Sequence, residues 1–432
     1  MKLFGASKIE GSDLYIGGVK ATSLAKEFGT PLYVMDEQLL LDNCRGYINA
    51  FRAKEENNRV AFAGKAFLNI EMCKIINKEG LYLDVVSGGE LYTAYKANFP
   101  MEKIYFHGNN KTLDEIELGV KIGVGRFIVD NLWEMSKINE VAEKYNKKQD
   151  IYLRLTPGIE AHTHDYIKTG QIDSKFGFAP VENIIMDAVK KALSLDNVNL
   201  IGLHCHIGSQ IFETEPFKDA AEVMLKFINE IKQETGHLIE ELDLGGGFGI
   251  YYSEGDKPKS IEDYCNVILD RVDEVCRELN LKRPILTIEP GRSIVANAGT
   301  TLYTVGSIKE IPEIRKYVAV DGGMTDNIRP ALYGAKYEAF IANKADSLAN
   351  DKVTVAGKCC ESGDILINDI EIQKAEGGDI LAVLSTGAYG FSMASGYNRI
   401  LRPAVVFVRN GEARIAVKRQ SYEDLIKEEL LS

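Results

Sequence analysis

VAFAGKAFLNIEMCKIINKEGLYLDVVSGGELYTAYKA, residues 60–97, passes twice through one cycle. A short apolar run (VAFAG, then LYLDVVS) ends in glycine, lysine or serine, and an amphipathic stretch with helical spacing follows before the next run begins. That cycle is the βα unit of a parallel sheet. Outward from it, residues 60–290 give eight such runs: VAFAG before Lys65, LYLDVVS before Gly88, IYFHG at 104–108, RFIVD at 126–130, IYLRLTP at 151–157, LIGLHCHIG at 200–208, ELDLGGG at 241–247 and ILTIEPG at 285–291. Eight units are what an α/β fold of the (β/α)8, TIM-type barrel class requires, whereas an open doubly wound sheet usually has fewer strands.

Beyond about residue 298 the helical stretches thin out and β runs take over, among them TLYTVGSIKE, KYVAVDGG, DKVTVAGK and DILAVLST. In AVVFVRNGEARIAVKR, Asn410-Gly411 between two alternating runs signals a tight hairpin. DLYIGGVKA near the N-terminus reads as strands that join this C-terminal sheet. The expected organisation is a barrel over 36–298 and a mainly β, sandwich- or barrel-like domain made of 1–35 and 299–432.

The balance of 51 basic and 63 acidic side chains, net charge -12, has the wrong sign for coating nucleic acid. No stretch approaches the roughly 20 apolar residues needed to span a bilayer. MKLFGASKIEGSD has no apolar core of a signal peptide, and seven cysteines at irregular spacing suit a reduced compartment, so a cytoplasmic location is expected.

Barrel active sites are built where the strands end. Those ends supply Lys65, Ser87-Gly88-Gly89-Glu90, His107-Gly108-Asn109-Asn110, His204, His206 and Ser209, Gly245 to Gly249, and Glu289-Pro290-Gly291-Arg292. A lysine just after an apolar strand is desolvated, which favours its neutral, nucleophilic amine and suits a Schiff base. Alone it more often describes a rim lysine with its charge in water, and the other strand ends reverse that. GGGFG offers unobstructed backbone N–H groups to a phosphate but lacks dinucleotide spacing, and its bland reading is a tight turn. His204 and His206, two apart on a strand, point the same way; with His162 and His164 they suit a metal hydrolase, or one ring stacks on an aromatic cofactor.

Seven ordered motifs then carry a resemblance: AFAGKAF around Lys65, HCHIGSQ at 204–210, LGGGFGIYY at 244–252, EPGRS at 289–293, RPALYGA at 329–335, CESGD at 360–364 and GAYGFSMAS at 387–395. Together they resemble the diaminopimelate decarboxylase family, part of the alanine-racemase-like barrel group of pyridoxal phosphate enzymes. THDYIKTGQIDSKFGF at 163–178 resembles that branch more than the ornithine or arginine decarboxylases, and Gly396 in SGYN is a departure from the family's pattern.

The resemblance implies decarboxylation of meso-2,6-diaminopimelate to L-lysine and carbon dioxide, the last step of lysine biosynthesis. It implies pyridoxal 5'-phosphate held on Lys65, with Glu289 at the ring nitrogen, His206 against the ring face and Ser209 beside it. Gly246, Gly247, Pro290, Gly291 and the Arg292 backbone would hold the phosphate. Arg292, Arg329, Tyr333 and Glu361 would contact the substrate, Tyr389 both substrate and cofactor, and Cys360 would donate the proton. No metal is implied. A homodimer with shared active sites is, with Cys360 arriving from the partner. The alternatives are a decarboxylase of ornithine, arginine or carboxynorspermidine, the metal hydrolase above, and a non-enzymatic pyridoxal phosphate binding protein.

Overall fold

Eight parallel strands close into a barrel in the structure, a computed structural model that describes residues 2–159 and 173–430. They are Arg59–Ala63, Tyr82–Val85, Ile104–Phe106, Arg126–Val129, Gln149–Arg154, Val198–His204, Glu241–Asp243 and Ile285–Ile288, each paired with its sequence neighbour and the last with the first. Seven of them lead into a barrel helix, and local chemistry opens the first four of these. Asn69, Ser87, Thr112 and Asn131 each accept a hydrogen bond from a first-turn backbone N–H. Thr112 adds a reciprocal capping box with Glu115. Ser87 is thus occupied as a cap.

The strand starts are tied by one carboxylate. Glu241 accepts from Arg59 Nη1 at 2.6 Å, from Arg126 Nε at 2.9 Å and Nη2 at 3.0 Å, and from the Tyr152 hydroxyl. Tyr105 and Tyr152 pack with Ala61 and Ile128 inside the barrel. Gly202 lies so close to the Tyr152 ring that a Cβ would stand 2.4 Å from it. Burial alone would raise the Glu241 pKa, but Arg126 and Arg59 outweigh it and hold it down to about 2. The stabilisation this supplies is therefore present above the ordinary carboxylate pKa and is lost as pH falls through about 2. Replacing Glu241 with Gln, which strands two half-buried guanidiniums, is expected to cost up to about 3 kcal/mol at neutral pH, measured by denaturant unfolding. The deficit should shrink as acid titrates the wild-type carboxylate.

The chain divides into two compact units, Asn43–Gly249 with Pro258–Gly291, and Met1–Asp42 with Ile250–Lys257 and Arg292–Ser432. The first holds the barrel. Within the expected 36–298, residues 36–42, Ile250–Lys257 and 292–298 group with the β unit.

In that unit the sheet runs Ile365–Ile372, Asp351–Ala356, Arg315–Val320, Gly299–Ile311, Leu32–Asp36, Ala404–Arg409, Glu412–Val417, with Ile380–Val383 also on Gly299–Ile311 and Ala339–Ile341 beyond it. The expected hairpin forms, with Asn410 at φ 53° and Gly411 at φ 82°. DLYIGGVKA is a correction. Its strands Asp13–Ile16 and Val19–Lys20 pair with each other and with Lys8–Glu10 in a separate three-stranded sheet, because turns at Gly11 and Gly17-Gly18 with positive φ fold them back on themselves. The N-terminal strand that does join the large sheet is Leu32–Asp36, whose apolar side chains enter a core with Leu14, Leu302 and Val406.

Candidate active site

Five ionisable side chains from five strand ends meet out of water: Asp84, His107, His204, Asp243 and Glu289. Glu289 Oε1 lies 2.7 Å from His107 Nε2, and Oε2 lies 3.3 Å from His204 Nε2. The two imidazoles meet edge to face, 4.8 Å between centroids. Asp84 Oδ1 is 3.7 Å from His107 Nε2, and Asp243 Oδ1 accepts from Gly245 N at 2.8 Å. Burial would raise the Glu289 pKa, but the two histidines outweigh it and hold it well below the usual carboxylate range. Burial pushes His204 down to about 3 and raises both aspartates, Asp243 further through the charge on Glu289. Negative charge is therefore concentrated on one carboxylate.

Around Glu289 the strand-end loops interlock. Glu289 N donates to Gly245 O at 2.8 Å, Ala63 N to Pro290 O at 3.3 Å, Ile211 N to Gly247 O and Gly249 N to Ile211 O, both at 2.9 Å. A Cβ on Gly246 would stand 2.1 Å from Glu289 O, on Gly291 2.8 Å from Ala63 Cβ, and on Gly247, at φ 107°, 2.4 Å from Gly208 O. The loop leaves no room for side chains there, which keeps its backbone accessible to an anion.

Lys65 sits on a one-turn 3-10 helix, Gly64–Ala66, half-buried rather than enclosed. Its charge acts on Asp84, Glu90 and His206. His206 corrects the expectation of two histidines side by side on a strand. The sixth strand ends at His204, so His206 begins the loop, where its Nδ1 accepts from Gly246 N at 3.3 Å. Burial, with Lys65 and Arg154 nearby, pushes its pKa well down and keeps the ring neutral. Ser209 is half-buried in the same loop.

The histidine set of the hydrolase reading is not assembled as expected: His204 meets His107 instead of His206, and His162, His164 and most of 163–178 lie outside the described residues. His107, His204, Asp243 and Glu289 do offer four donor atoms within 4.8 Å of one another. Their protonation suits a protonated heterocyclic nitrogen better, since the anion is single and the two flanking histidines already pair with it. A lysine at the end of the first strand, a glycine-rich loop and an ionised buried glutamate fit pyridoxal phosphate.

The β unit carries a second cluster. Arg292 and Arg329, both buried, face phenols. Arg292 Nη1 donates to Tyr252 OH at 2.7 Å and Arg329 to Tyr337 OH. Tyr389, at φ 60°, stands 4.8 Å from the Arg292 guanidinium, and Tyr333 is half-buried, one helical turn after Arg329.

Cys360 and Glu361 are exposed, in a loop hung on buried Asp364, which accepts from Met324 N at 2.6 Å and Cys359 N at 2.8 Å. Cys360 N donates to Asn398 Oδ1 at 2.7 Å. Cys359 is half-buried, and burial with Asp364 pushes its thiol up to about 11. Gly396 has open space where a Cβ would stand, so its departure from the family pattern costs no packing.

Sequence reasoning missed Asp84, Asp243, Tyr252 and Tyr337. An aspartate inside an apolar strand run, as in LYLDVV and ELDLGG, was the available signal for the first two, since buried acids need partners. Tyr252 closes the LGGGFGIYY motif, whereas nothing local marked Tyr337.

The family described as pyridoxal-dependent decarboxylase, pyridoxal binding domain, matches residues 41–296. The chain is 51% identical over 417 residues to the diaminopimelate decarboxylase of Bacillus subtilis (strain 168), covering 96% of this chain and 95% of that one. With the enzyme of the same name from Staphylococcus aureus (strain COL) the identity is 46% over 418 residues, 96% and 97% of the two chains. The diaminopimelate decarboxylase of M. jannaschii, solved in co-complex with L-lysine, superposes with a TM-score of 0.92 at 38% identity, over 99% of this chain and 98% of that one.

Proposed function

The chain belongs to the pyridoxal-dependent decarboxylases, in their diaminopimelate decarboxylase branch, and from that membership we propose how its residues divide the work of turning meso-2,6-diaminopimelate into L-lysine and carbon dioxide, the last step of lysine biosynthesis. When bound, pyridoxal 5'-phosphate supplies the electron sink for the pair left behind as carbon dioxide departs. Lys65 Nζ holds the cofactor's aldehyde end. Glu289 holds a proton on the ring nitrogen, and its pairing with His107 and His204 supports this role. His206, neutral, faces the ring, with Ser209 beside it. Gly246, Gly247, Pro290, Gly291 and the Arg292 backbone receive the phosphate.

Arg292 and Arg329 bind the substrate's remote carboxylate, Tyr333 and Tyr389 contact it, and Glu361 faces its remote ammonium. Cys360 Sγ donates a proton to the reacting carbon. Two buried guanidiniums in one cluster are the observation that favours a substrate with a second carboxylate over ornithine or arginine. Release of carbon dioxide from meso-diaminopimelate, run beside ornithine, arginine and carboxynorspermidine, tests the choice, and preference for any of the others overturns it. Borohydride reduction of the purified protein should fix the cofactor on Lys65; a label on another lysine removes that assignment.

The active sites belong to a homodimer that shares them. Cys360 and Glu361 are exposed on the single chain, and so are Ile70, Leu113, Leu132 and Trp133 at the starts of helices that follow barrel strands. Apolar groups in that ring of helix starts suit coverage by a second copy. No described helix is long and apolar enough to cross a membrane, and seven unpaired thiols suit the reducing cytoplasm, where we place the protein.

A further inference from the structure

Tyr252 is the last residue of the LGGGFGIYY motif, yet no role is assigned to it above. Its ring is buried beside both guanidiniums, with Arg329 Cζ 4.8 Å and Arg292 Cζ 5.7 Å from its centroid. Its hydroxyl accepts from Arg292 Nη1 at 2.7 Å. The Tyr337 ring meets it edge-on at 5.5 Å, and the Tyr337 hydroxyl takes a hydrogen bond from Arg329. Arg292 is therefore held by the Tyr252 hydroxyl, which also interacts with Arg329, and Arg329 is held in addition by the Tyr337 hydroxyl.

We propose that Tyr252 is a specificity-determining positioning residue, whose hydroxyl fixes the Arg292–Arg329 pair as a fork for the substrate's remote carboxylate. A guanidinium has five donors in a rigid plane, so anchoring one or two aims the others. Without the anchor, the two cations separate or rotate toward other acceptors, and a planar carboxylate meets them out of register. Burial alone would raise the phenol's pKa, but the two guanidiniums beside it outweigh that and bring it below its ordinary value. This rests on the reading that Arg292 and Arg329 bind that carboxylate.

The test uses two ligands of the holoenzyme that differ in that group. L-Lysine keeps the remote carboxylate, and pentane-1,5-diamine lacks it. In the wild type, lysine should inhibit at lower concentration than the diamine. Tyr252→Phe keeps the ring and its packing, and retained cofactor absorbance verifies the fold. Its inhibition constant for lysine and its KM for meso-diaminopimelate should rise about 10- to 100-fold, the effect of one charge-assisted hydrogen bond. The diamine's constant should change much less, and kcat far less than KM.

Tyr252→His, which keeps an accepting nitrogen, should recover part of the lysine preference. A merely structural role would weaken both ligands alike, and that result, or an unchanged lysine constant, overturns the proposal. If the wild type itself does not distinguish lysine from the diamine, the arginine reading fails first.

Discussion

Glu289→Gln is expected to lower kcat by about 2 to 4 powers of ten while cofactor remains bound. Glutamine keeps the size and one accepting oxygen, so the interlocked loops around Gly245 and Pro290 have no reason to move. What it removes is charge. Glu289 is the one group in the strand-end cluster held ionised against full burial, because His107 and His204 flank its two oxygens at 2.7 and 3.3 Å. A neutral amide there cannot hold a proton on the ring nitrogen, and the electron sink weakens. Cofactor absorbance and single-turnover rates measure the two halves separately. Nearly full activity would make the carboxylate structural and misplace the sink; loss of the cofactor would show that Glu289 chiefly binds.

Mixing Lys65→Ala with Cys360→Ala chains, each inactive alone, should restore activity from nothing to about half of the wild-type level per mixed dimer, or about a quarter for the whole mixture after random exchange, on the two-fold logic of a shared interface. One site of the mixed dimer combines both lesions, and the other has an intact lysine on one chain and an intact thiol on its partner. If each site is built from one chain, every site keeps a lesion and activity stays absent. Exchange verified by a mass tag, with no recovery, refutes the shared site and leaves the decarboxylase assignment standing. The exposure of Cys360 motivates the experiment. The other five cysteines outside the CC pair are buried, and burial raises the thiol pKa of each, so none competes as donor.

How far the sequence could be read differs between strands and their ends. All eight barrel runs became strands because each is an apolar block closed by its own glycine, proline or polar stop, a pattern complete within ten residues. The sixth run, 200–208, sets His206 beside His204, but the strand stops at His204 and the chain turns away, so His204 meets His107 instead. Near the N-terminus, DLYIGGVKA was correctly strand, but its partner was its own neighbour, since the turns at Gly11 and Gly17-Gly18 close locally.

By itself the sequence determined the barrel, the β-rich remainder, the hairpin at Asn410-Gly411 and the motifs that carry the family resemblance, all of which are written in short windows. Only the tertiary structure decided that Asp84, His107, His204, Asp243 and Glu289 share one desolvated cluster, and that Tyr252 stands between Arg292 and Arg329. Those residues are brought together by closure of a barrel and a sheet, through pairings as distant in sequence as Thr287 with Arg59 and Ala404 with Leu32. Side-chain periodicity repeats every two or 3.6 residues and records which face is buried, but not which distant strand end that face will meet.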